Sequence, residues 1–237
     1  MVMSTLVDSH CHLFDIKQYK PSKDLIVVSS GYSHATNVKN AELSKKLNIP
    51  FSLGIAPQSV IGDRDLTPLD EWADFIKKSK PNAIGEIGLD YHWAKGEEDV
   101  KKEELVFRRM LDLAEEMKLP VVIHGRKATS DILDTFKMRN FELPIMMHFF
   151  AGNVSEAEWV AEKGGYISIP PLHSKERRNV IKEIQLENLL VESDAPYVVR
   201  KPEQVKDAVS YIAEVKELDF DIVAEQTTKN AHSFFKF

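Results

Sequence analysis

Short apolar runs recur along the chain and are separated by longer stretches whose apolar residues return every three to four positions. The runs fall at Thr5–Cys11, Leu25–Ser29, Phe51–Ile55, Ala83–Leu89, Pro120–His124, Pro144–His148, Tyr166–Ile169 and Leu189–Asp194, eight in all. Their length and β-type composition predict strands, and most of the intervening stretches predict helices with one buried face. Trp72, Phe75 and Ile76 share a face of Asp70–Lys77, while Leu105, Met110, Leu113, Ala114 and Met117 recur through Leu105–Met117. Thr67-Pro68, Ser130 and Lys201-Pro202 mark helix starts. Strands alternating with helices imply parallel strands joined by right-handed crossovers. Eight of them in 237 residues fit an α/β fold, a closed (β/α)8 TIM barrel, with an open doubly wound sheet as the alternative. No linker, repeat or low-complexity tract divides the chain, so residues 1–237 read as a single domain. Leu13–Asp24 is polar and carries Pro21, which predicts a shortened or missing first crossover helix.

Composition narrows the classes. Hydrophobic residues are 43% and charged residues 29%, enough to bury a core. Runs such as Leu25–Val28 and Ile145–Met147 fall far short of the roughly 20 residues a bilayer requires, so no membrane role is expected. Met1–Leu6 lacks a basic region followed by an apolar stretch, and a lone Cys11 leaves no internal disulfide; both fit a cytoplasmic protein. With Lys+Arg 31 against Asp+Glu 37, the net charge of −6 excludes coating of nucleic acid by bulk positive charge. A local grip on phosphate stays open.

The eight histidines change the picture most. His10 and His12, two apart at the end of the first strand, share a face, with Cys11 turned away as a small apolar residue. Glu86, His124, His148 and Asp194 lie in or at the ends of four other strands. Barrel enzymes assemble their sites at the C-terminal strand ends, and closure makes the first and eighth strands neighbours. Four imidazoles and two carboxylates exceed the ligand set of one catalytic zinc and suit a binuclear site, with Glu86, from the middle of the strand order, as bridge. Nitrogen-rich ligation favours Zn²⁺, Mn²⁺, Fe²⁺ or similar ions over an all-oxygen Mg²⁺ site. By period two, Asp8 and Glu192 share the faces of their neighbours and read either as orienting partners or as satisfied interior residues. His34 and His232 read as packed or solvated. His92 and His173, after the fourth and seventh strands, are open to substrate contact, as are Asp90 and Tyr197 at the rim. Arg126, Lys127, Arg200 and Lys201 form a candidate basic rim, whereas Lys175, Arg177 and Arg178 read as a solvated helix face. The Phe234-Phe-Lys-Phe237 end reads as packing of the last helix against the barrel.

Five stretches carry a resemblance: Asp8-Ser-His-Cys-His12, Gly85-Glu-Ile-Gly-Leu-Asp90, Ile123-His-Gly-Arg126, His148-Phe-Phe-Ala-Gly152 and Glu192-Ser-Asp-Ala-Pro-Tyr197, with Thr227-Thr-Lys-Asn-Ala231 near the close. In this order and spacing the sequence resembles the TatD-related deoxyribonuclease family of metal-dependent hydrolases. The resemblance implies a barrel with two divalent ions (Zn, Mn, Mg or similar). It places one ion on His10, His12, Glu86 and Asp194, and the other on Glu86, His124 and His148. It also implies a DNase of exonuclease character. Two departures stand out: Gly54-Ile-Ala-Pro57 carries Ala56 where the family has histidine, and the first crossover is short.

The expected chemistry is attack on phosphorus by a metal-bridging hydroxide, with Glu86 and Asp194 as catalytic groups and Asp194 or a metal-bound water relaying the proton. Arg126, His92 and Tyr197 are the expected substrate contacts, the Arg fork facing a phosphate. DNA or another phosphodiester is the expected partner, and no obligate protein partner is evident. The alternative is an amidohydrolase-type enzyme cleaving an amide or ester, including an aminoacyl-tRNA ester. A non-enzymatic metal- or nucleic-acid-binding protein is the third reading.

Overall fold

In a computed structural model that describes residues 5–17 and 19–237, all eight strand-like runs form strands. They are β1 (Leu6–Cys11), β2 (Leu25–Ser30), β3 (Phe51–Leu53), β4 (Ala83–Asp90), β5 (Val121–Arg126), β6 (Ile145–His148), β7 (Tyr166–Ile169) and β8 (Leu189–Val191). Each pairs parallel with the next in sequence order. The helices between and after them are α1 (His34–Leu47), α2 (Leu69–Ser79), α3 (Glu97–Met117), α4 (Thr129–Arg139), α5 (Val154–Glu162), α6 (Lys175–Glu183), α7 (Val205–Lys216) and α8 (Phe220–Phe235). Among the described residues between β1 and β2 the regular structure is a single 3-10 turn, Leu13–Asp15, so the first crossover is reduced. Residues 1–4 and Gln18 lie outside the described residues, and with them most of the Met1–Leu6 start and one position of that crossover. Ser130 sits in the first turn of α4, at the helix start it marks.

The sheet curls until β8 meets β1, but this last seam is not a regular ladder. Asp194 N–H donates to the His10 carbonyl at 3.0 Å and His12 N–H to the Ala195 carbonyl at 2.7 Å. Side chains complete it: Ser9 Oγ donates to the Val191 carbonyl at 2.7 Å, and Asp8 accepts from Ser193 N–H at 2.8 Å. Closure therefore carries the chain past the end of β8 along β1. Among the described residues no helix is long and apolar enough to cross a membrane.

Two apolar clusters divide the interior. One contains Ile84, Ile87, Val121, Ile123, Ile145, Met147, Leu189 and Val191 and packs the outer sheet face against the helices. The other is the floor inside the ring: Val7, Val28, Ala83, Val122, Met146 and Leu190, closed from below by Ala231, Phe234 and Phe235 of α8. In β5, β6 and β8 strict alternation then puts His124, His148 and Glu192 on the same inner face as Val122, Met146 and Leu190. In β1 and β4 it would not. Val7 and Ala83 face inward, so unbroken alternation would turn His10, His12 and Glu86 outward. Each strand contains one extra residue that resets the parity: Asp8 and Cys11 pair with Val27 and Ser29, and Ile84 and Ile87 with Val121 and Ile123.

Beyond its irregularity β4 lies unusually close to β5. Gly88, at φ +142, faces His124, and a Cβ built there would stand 2.0 Å from the His124 carbonyl oxygen. Both the backbone conformation and the space demand glycine. Gly88→Ala should destabilise the fold by about 2–4 kcal/mol, the sum of a positive-φ cost and overpacking. Thermal unfolding should register this as a fall of roughly 5–15 °C in Tm.

Candidate metal centre

Glu86 is the centre of the arrangement. Its Oε1 stands 2.7 Å from His124 Nδ1 and 3.8 Å from His148 Nε2. Its Oε2 lies 3.9 Å from both His10 Nε2 and His12 Nε2. The carboxylate thus turns one oxygen to the β1 imidazole pair and the other to the β5 and β6 imidazoles. Asp194 completes the β1 side, with Oδ1 3.3 Å from His12 Nε2 and 3.9 Å from His10 Nε2. All six side chains expected to converge do so, and five of them are buried, His124 less so. Three overlapping triads, His10–His148–Asp194, His10–His12–Glu86 and Glu86–His124–His148, each bring one donor atom per residue within 4.8 Å of the others. Asp194 Oδ1 is buried and accepts no hydrogen bond, which is costly for a carboxylate unless a cation completes its environment.

Every imidazole is held by its other nitrogen. His12 Nδ1–H donates to the Ser30 carbonyl at 2.8 Å, and His10 Nδ1 pairs with Ser30 Oγ at 3.1 Å. Ser52 Oγ in turn donates to Ser30 Oγ at 2.8 Å. His124 Nε2–H donates to Asp90 Oδ2 at 2.8 Å, which leaves Nδ1 facing Glu86. His148 Nδ1 lies 3.0 Å from Glu192 Oε1 as an ion pair, leaving Nε2 facing inward. Such partners fix ring orientation and tautomer and raise the basicity of the free nitrogen. Glu192, wholly buried, also accepts from Phe149 N–H at 2.7 Å.

The electrostatics follow from crowding. Burial opposes the charged form of His124, but the hydrogen bonds to Asp90 and Glu86 outweigh it and hold its pKa at about 9. Burial likewise opposes a charged His148, yet Glu192, Glu86 and Asp194 raise it to about 10. His10 falls well below the usual imidazole value through burial and then the repulsion of His148 and His12. For Glu86 burial disfavours the anion, but the bond to His124 and the surrounding imidazoles prevail and its pKa drops. Burial raises the Cys11 thiol, whose Sγ points away at the Val28 carbonyl 3.6 Å off, as its apolar reading requires.

Other expected residues divide. Arg126 is exposed and lines a cavity of about 300 Å³ with His124, Gly125, His148, Phe149, Ala151, Asp194 and Val198. His92 lies on the exposed turn after β4, its N–H donating to Asp90 Oδ1 at 3.0 Å. Tyr197 stands 56% exposed beside His12, but its hydroxyl is engaged, donating to Asp15 Oδ2 at 2.5 Å and pairing with Tyr32 Oη at 3.1 Å. Asp90 is not a rim residue: it is buried under His124. Asp8 does not orient the β1 imidazole rings; the extra residue after it turns its carboxylate to Ser193 N–H and Oγ, and burial raises its pKa. His173 stacks on Tyr211 at 3.8 Å, and His34 on Trp72 at 5.8 Å. Lys127, Arg200 and Lys201 are exposed after β5 and β8, as a basic rim requires. Arg177 departs from a solvated face, lying over Phe149 at 5.4 Å and donating to the Leu172 carbonyl at 2.6 Å; Arg178 pairs with Glu214 on the surface as expected. Ala56 is fully buried and offers no donor. Ser30, Asp15, Tyr32, Trp93 and Glu103 escaped the sequence reading; only Ser30, directly after the Leu25–Ser29 run, carried a positional signal.

A (β/α)8 barrel with clustered imidazoles and carboxylates at the C-terminal ends of its strands defines a metal-dependent hydrolase. The profile of the TatD related DNase family matches residues 7–236, and the chain belongs to that family. An uncharacterized metal-dependent hydrolase of Methanocaldococcus jannaschii is 32% identical over 249 residues, covering 97% of this chain and 96% of its own. The deoxyribonuclease TATDN3 of Homo sapiens is 29% identical over 259 residues, covering 97% and 94%. Among solved structures, the TatD homologue YJJV of Escherichia coli superimposes with a TM-score of 0.82 at 21% identity over 100% of both chains, which shows a shared fold.

Beneath the centre, Glu103 of α3 is 1% exposed; its Oε2 accepts from Asp90 N–H at 2.9 Å and its Oε1 accepts nothing. Burial, reinforced by the charge of Asp90, raises its pKa to about 7. The folded protein then holds a proton that the unfolded chain releases near pH 4.5, so this residue lowers stability as pH rises from about 4.5 to about 7. Glu103→Gln should therefore raise Tm at pH 8 by about 2–4 °C, roughly 1 kcal/mol, with the gain vanishing below pH 4.5. Melting curves at the two pH values measure this directly.

Proposed function

We propose that the protein is a divalent-metal-dependent phosphodiesterase acting on DNA ends. The observation that carries this reading is the division of Glu86, one oxygen toward the β1 imidazoles and the other toward those of β5 and β6, beside a cavity rimmed by Arg126. The donor set fits a pair of ions: His10, His12, Glu86 and Asp194 would hold one, and Glu86, His124 and His148 the other. Ions bound there supply Lewis acidity toward a phosphoryl oxygen and lower the pKa of coordinated water.

The chain's own groups do the rest. Arg126 presents its fork to the non-bridging phosphate oxygens and fixes the diester over the centre. Asp194, whose Oδ1 accepts no hydrogen bond, takes the proton of the attacking water and passes it toward the leaving oxygen. Asp90 and Glu192 keep His124 and His148 in one orientation through the cycle. His92 and Tyr197 border the mouth, Tyr197 held in place by Asp15 rather than free to swing. The basic rim is small, so the footprint on nucleic acid is short and activity falls only modestly with salt.

The test is turnover of the metal-reconstituted protein on single-stranded DNA labelled at either end. Shortening ladders from one end are expected; inertness on DNA together with turnover of amides or carboxylic esters would overturn the proposal. His124→Ala should remove one equivalent of metal and lower turnover by about 100-fold or more, measured by elemental analysis and initial rates. Undiminished metal-dependent nuclease activity in that variant would refute the two-ion arrangement.

Metal uptake should also be pH-linked. At pH 7, His124 and His148 are protonated, with pKa values of about 9 and about 10, and a protonated nitrogen cannot ligate. Binding must displace those protons, so apparent affinity rises with pH until the imidazoles are neutral. Calorimetric titration with Zn²⁺ at pH 7 in buffers of different ionisation enthalpy should report net proton release on binding.

A further inference from the structure

The single turn that stands in for the first crossover brings Phe14 and Asp15 to the mouth of the ring, and neither belongs to the ligand-type set. Phe14 joins Tyr32, just after β2, and Tyr197, in the segment after β8, around the ring of His12. Their ring centroids lie 5.9, 5.4 and 4.9 Å from that of His12. They also meet one another, Phe14 and Tyr32 at 5.9 Å and Tyr32 and Tyr197 at 6.4 Å. Asp15 locks the group. Tyr197 spends its one O–H on Asp15 Oδ2 at 2.5 Å, so Tyr32 is the donor in the 3.1 Å contact between the two hydroxyls. A phenol bonded to a carboxylate is held more firmly than one bonded to a neutral group. The backbone on either side is fixed as well: Tyr197 N–H donates to the Asp194 carbonyl at 2.9 Å, and Tyr32 N–H to Thr36 Oγ1 at 3.1 Å.

This arrangement makes the two halves of the centre unequal in access. The cavity of about 300 Å³ at the mouth is lined by His124 of β5, His148 of β6 and Asp194, but by neither His10 nor His12. His10 and His12 are 0% and 3% exposed, whereas the His124 side chain is 18% exposed. Below them the ring is filled by Val7, Val28, Ala83, Val122, Met146 and Leu190, an apolar floor that gives a cation no ligand to pass along. We propose that Tyr197, clasped by Asp15 and Tyr32, is a fixed roof over the β1 half of the centre. An ion on His10, His12, Glu86 and Asp194 is trapped beneath it and exchanges slowly, while one on Glu86, His124 and His148 exchanges through the open cavity. The inference rests on the two-ion reading above and adds to it an order of release and the residues that set it. Asp15 and Tyr197 are positioning residues here: their bond acts on the centre through the ring laid against His12.

The test is metal release from the full-length protein loaded with Zn²⁺, its content fixed by elemental analysis and its loss followed with an excess of a chromogenic chelator. The wild type should lose two equivalents in two phases of equal amplitude, separated by about 10-fold or more in rate. Tyr197→Phe keeps the ring and removes the clasp, and Asp15→Ala, at an exposed position, removes it from the other side. Each should speed the slow phase by about 10-fold, through loss of a hydrogen bond to a charged group, and leave the fast phase unchanged. The double variant should be no faster than either single one, since both remove the same interaction. Four donors against three would also slow an ion on the β1 half, but these substitutions leave the donor number untouched. His124→Ala assigns the phases: the equivalent it retains should leave at the slow rate. Release of both ions in one fast phase, a slow phase unmoved in Tyr197→Phe and Asp15→Ala, or fast loss from His124→Ala would overturn the roof. A wild type that never holds two equivalents overturns the two-ion reading, and this inference with it.

Discussion

Side chains on a strand alternate between faces, and that periodicity would have prevented this site from forming had it run unbroken. The floor of the ring needs Val7 and Ala83 inside, while the mouth needs His10, His12 and Glu86 inside, and the two demands have opposite parity. One additional residue in β1 and one in β4 reconcile them. Without those irregularities, two imidazoles and the central carboxylate would be pressed into the apolar layer beneath the helices, at a cost of several kcal/mol for each unpaired polar group. β5, β6 and β8 satisfy both demands by plain alternation.

Closure of the ring supplies the remaining ligand-type group. Asp194 comes from beyond the last ladder pair of β8 and reaches the centre because its N–H is tied to the His10 carbonyl. Asp8, the residue just before the extra one in β1, stitches this seam by accepting from Ser193. A buried carboxylate is a poor choice for stability alone, since burial raises its pKa. Its contribution is positional. It holds the segment that carries Asp194 against the strand that carries His10 and His12.

The second nitrogens of the imidazoles finish the design. With Ser30, Asp90 and Glu192 fixing the rings, the donor atoms face one another before any ion arrives, and little ordering remains for binding to accomplish. Asp90 serves both the ring of His124 and the turn bearing His92 and Trp93, so one buried carboxylate sets the centre and its rim together.

The order of strands and helices, the reduced first crossover and all six converging residues were legible in the chain, because period, turn chemistry and donor type are local properties. Glu192 was legible as an inward-facing neighbour of Asp194, since β8 keeps its alternation. Asp8 and Asp90 were not placed correctly, because an extra residue in a ladder and the depth of a strand end depend on neighbouring strands. Glu103 gave no signal, and Arg177 read as part of a solvated face: a charged residue on an amphipathic helix declares its burial only when the helix is docked. The sequence by itself determined the alternation of eight strands with helices and the kinds of atoms at the strand ends, while closure into a ring rather than an open sheet was decided by the tertiary structure. Only the tertiary structure decided which oxygen of Glu86 faces which imidazoles, which nitrogen of each ring stays free, and where Asp194 meets His10, because those are relations between strands that lie far apart in the chain.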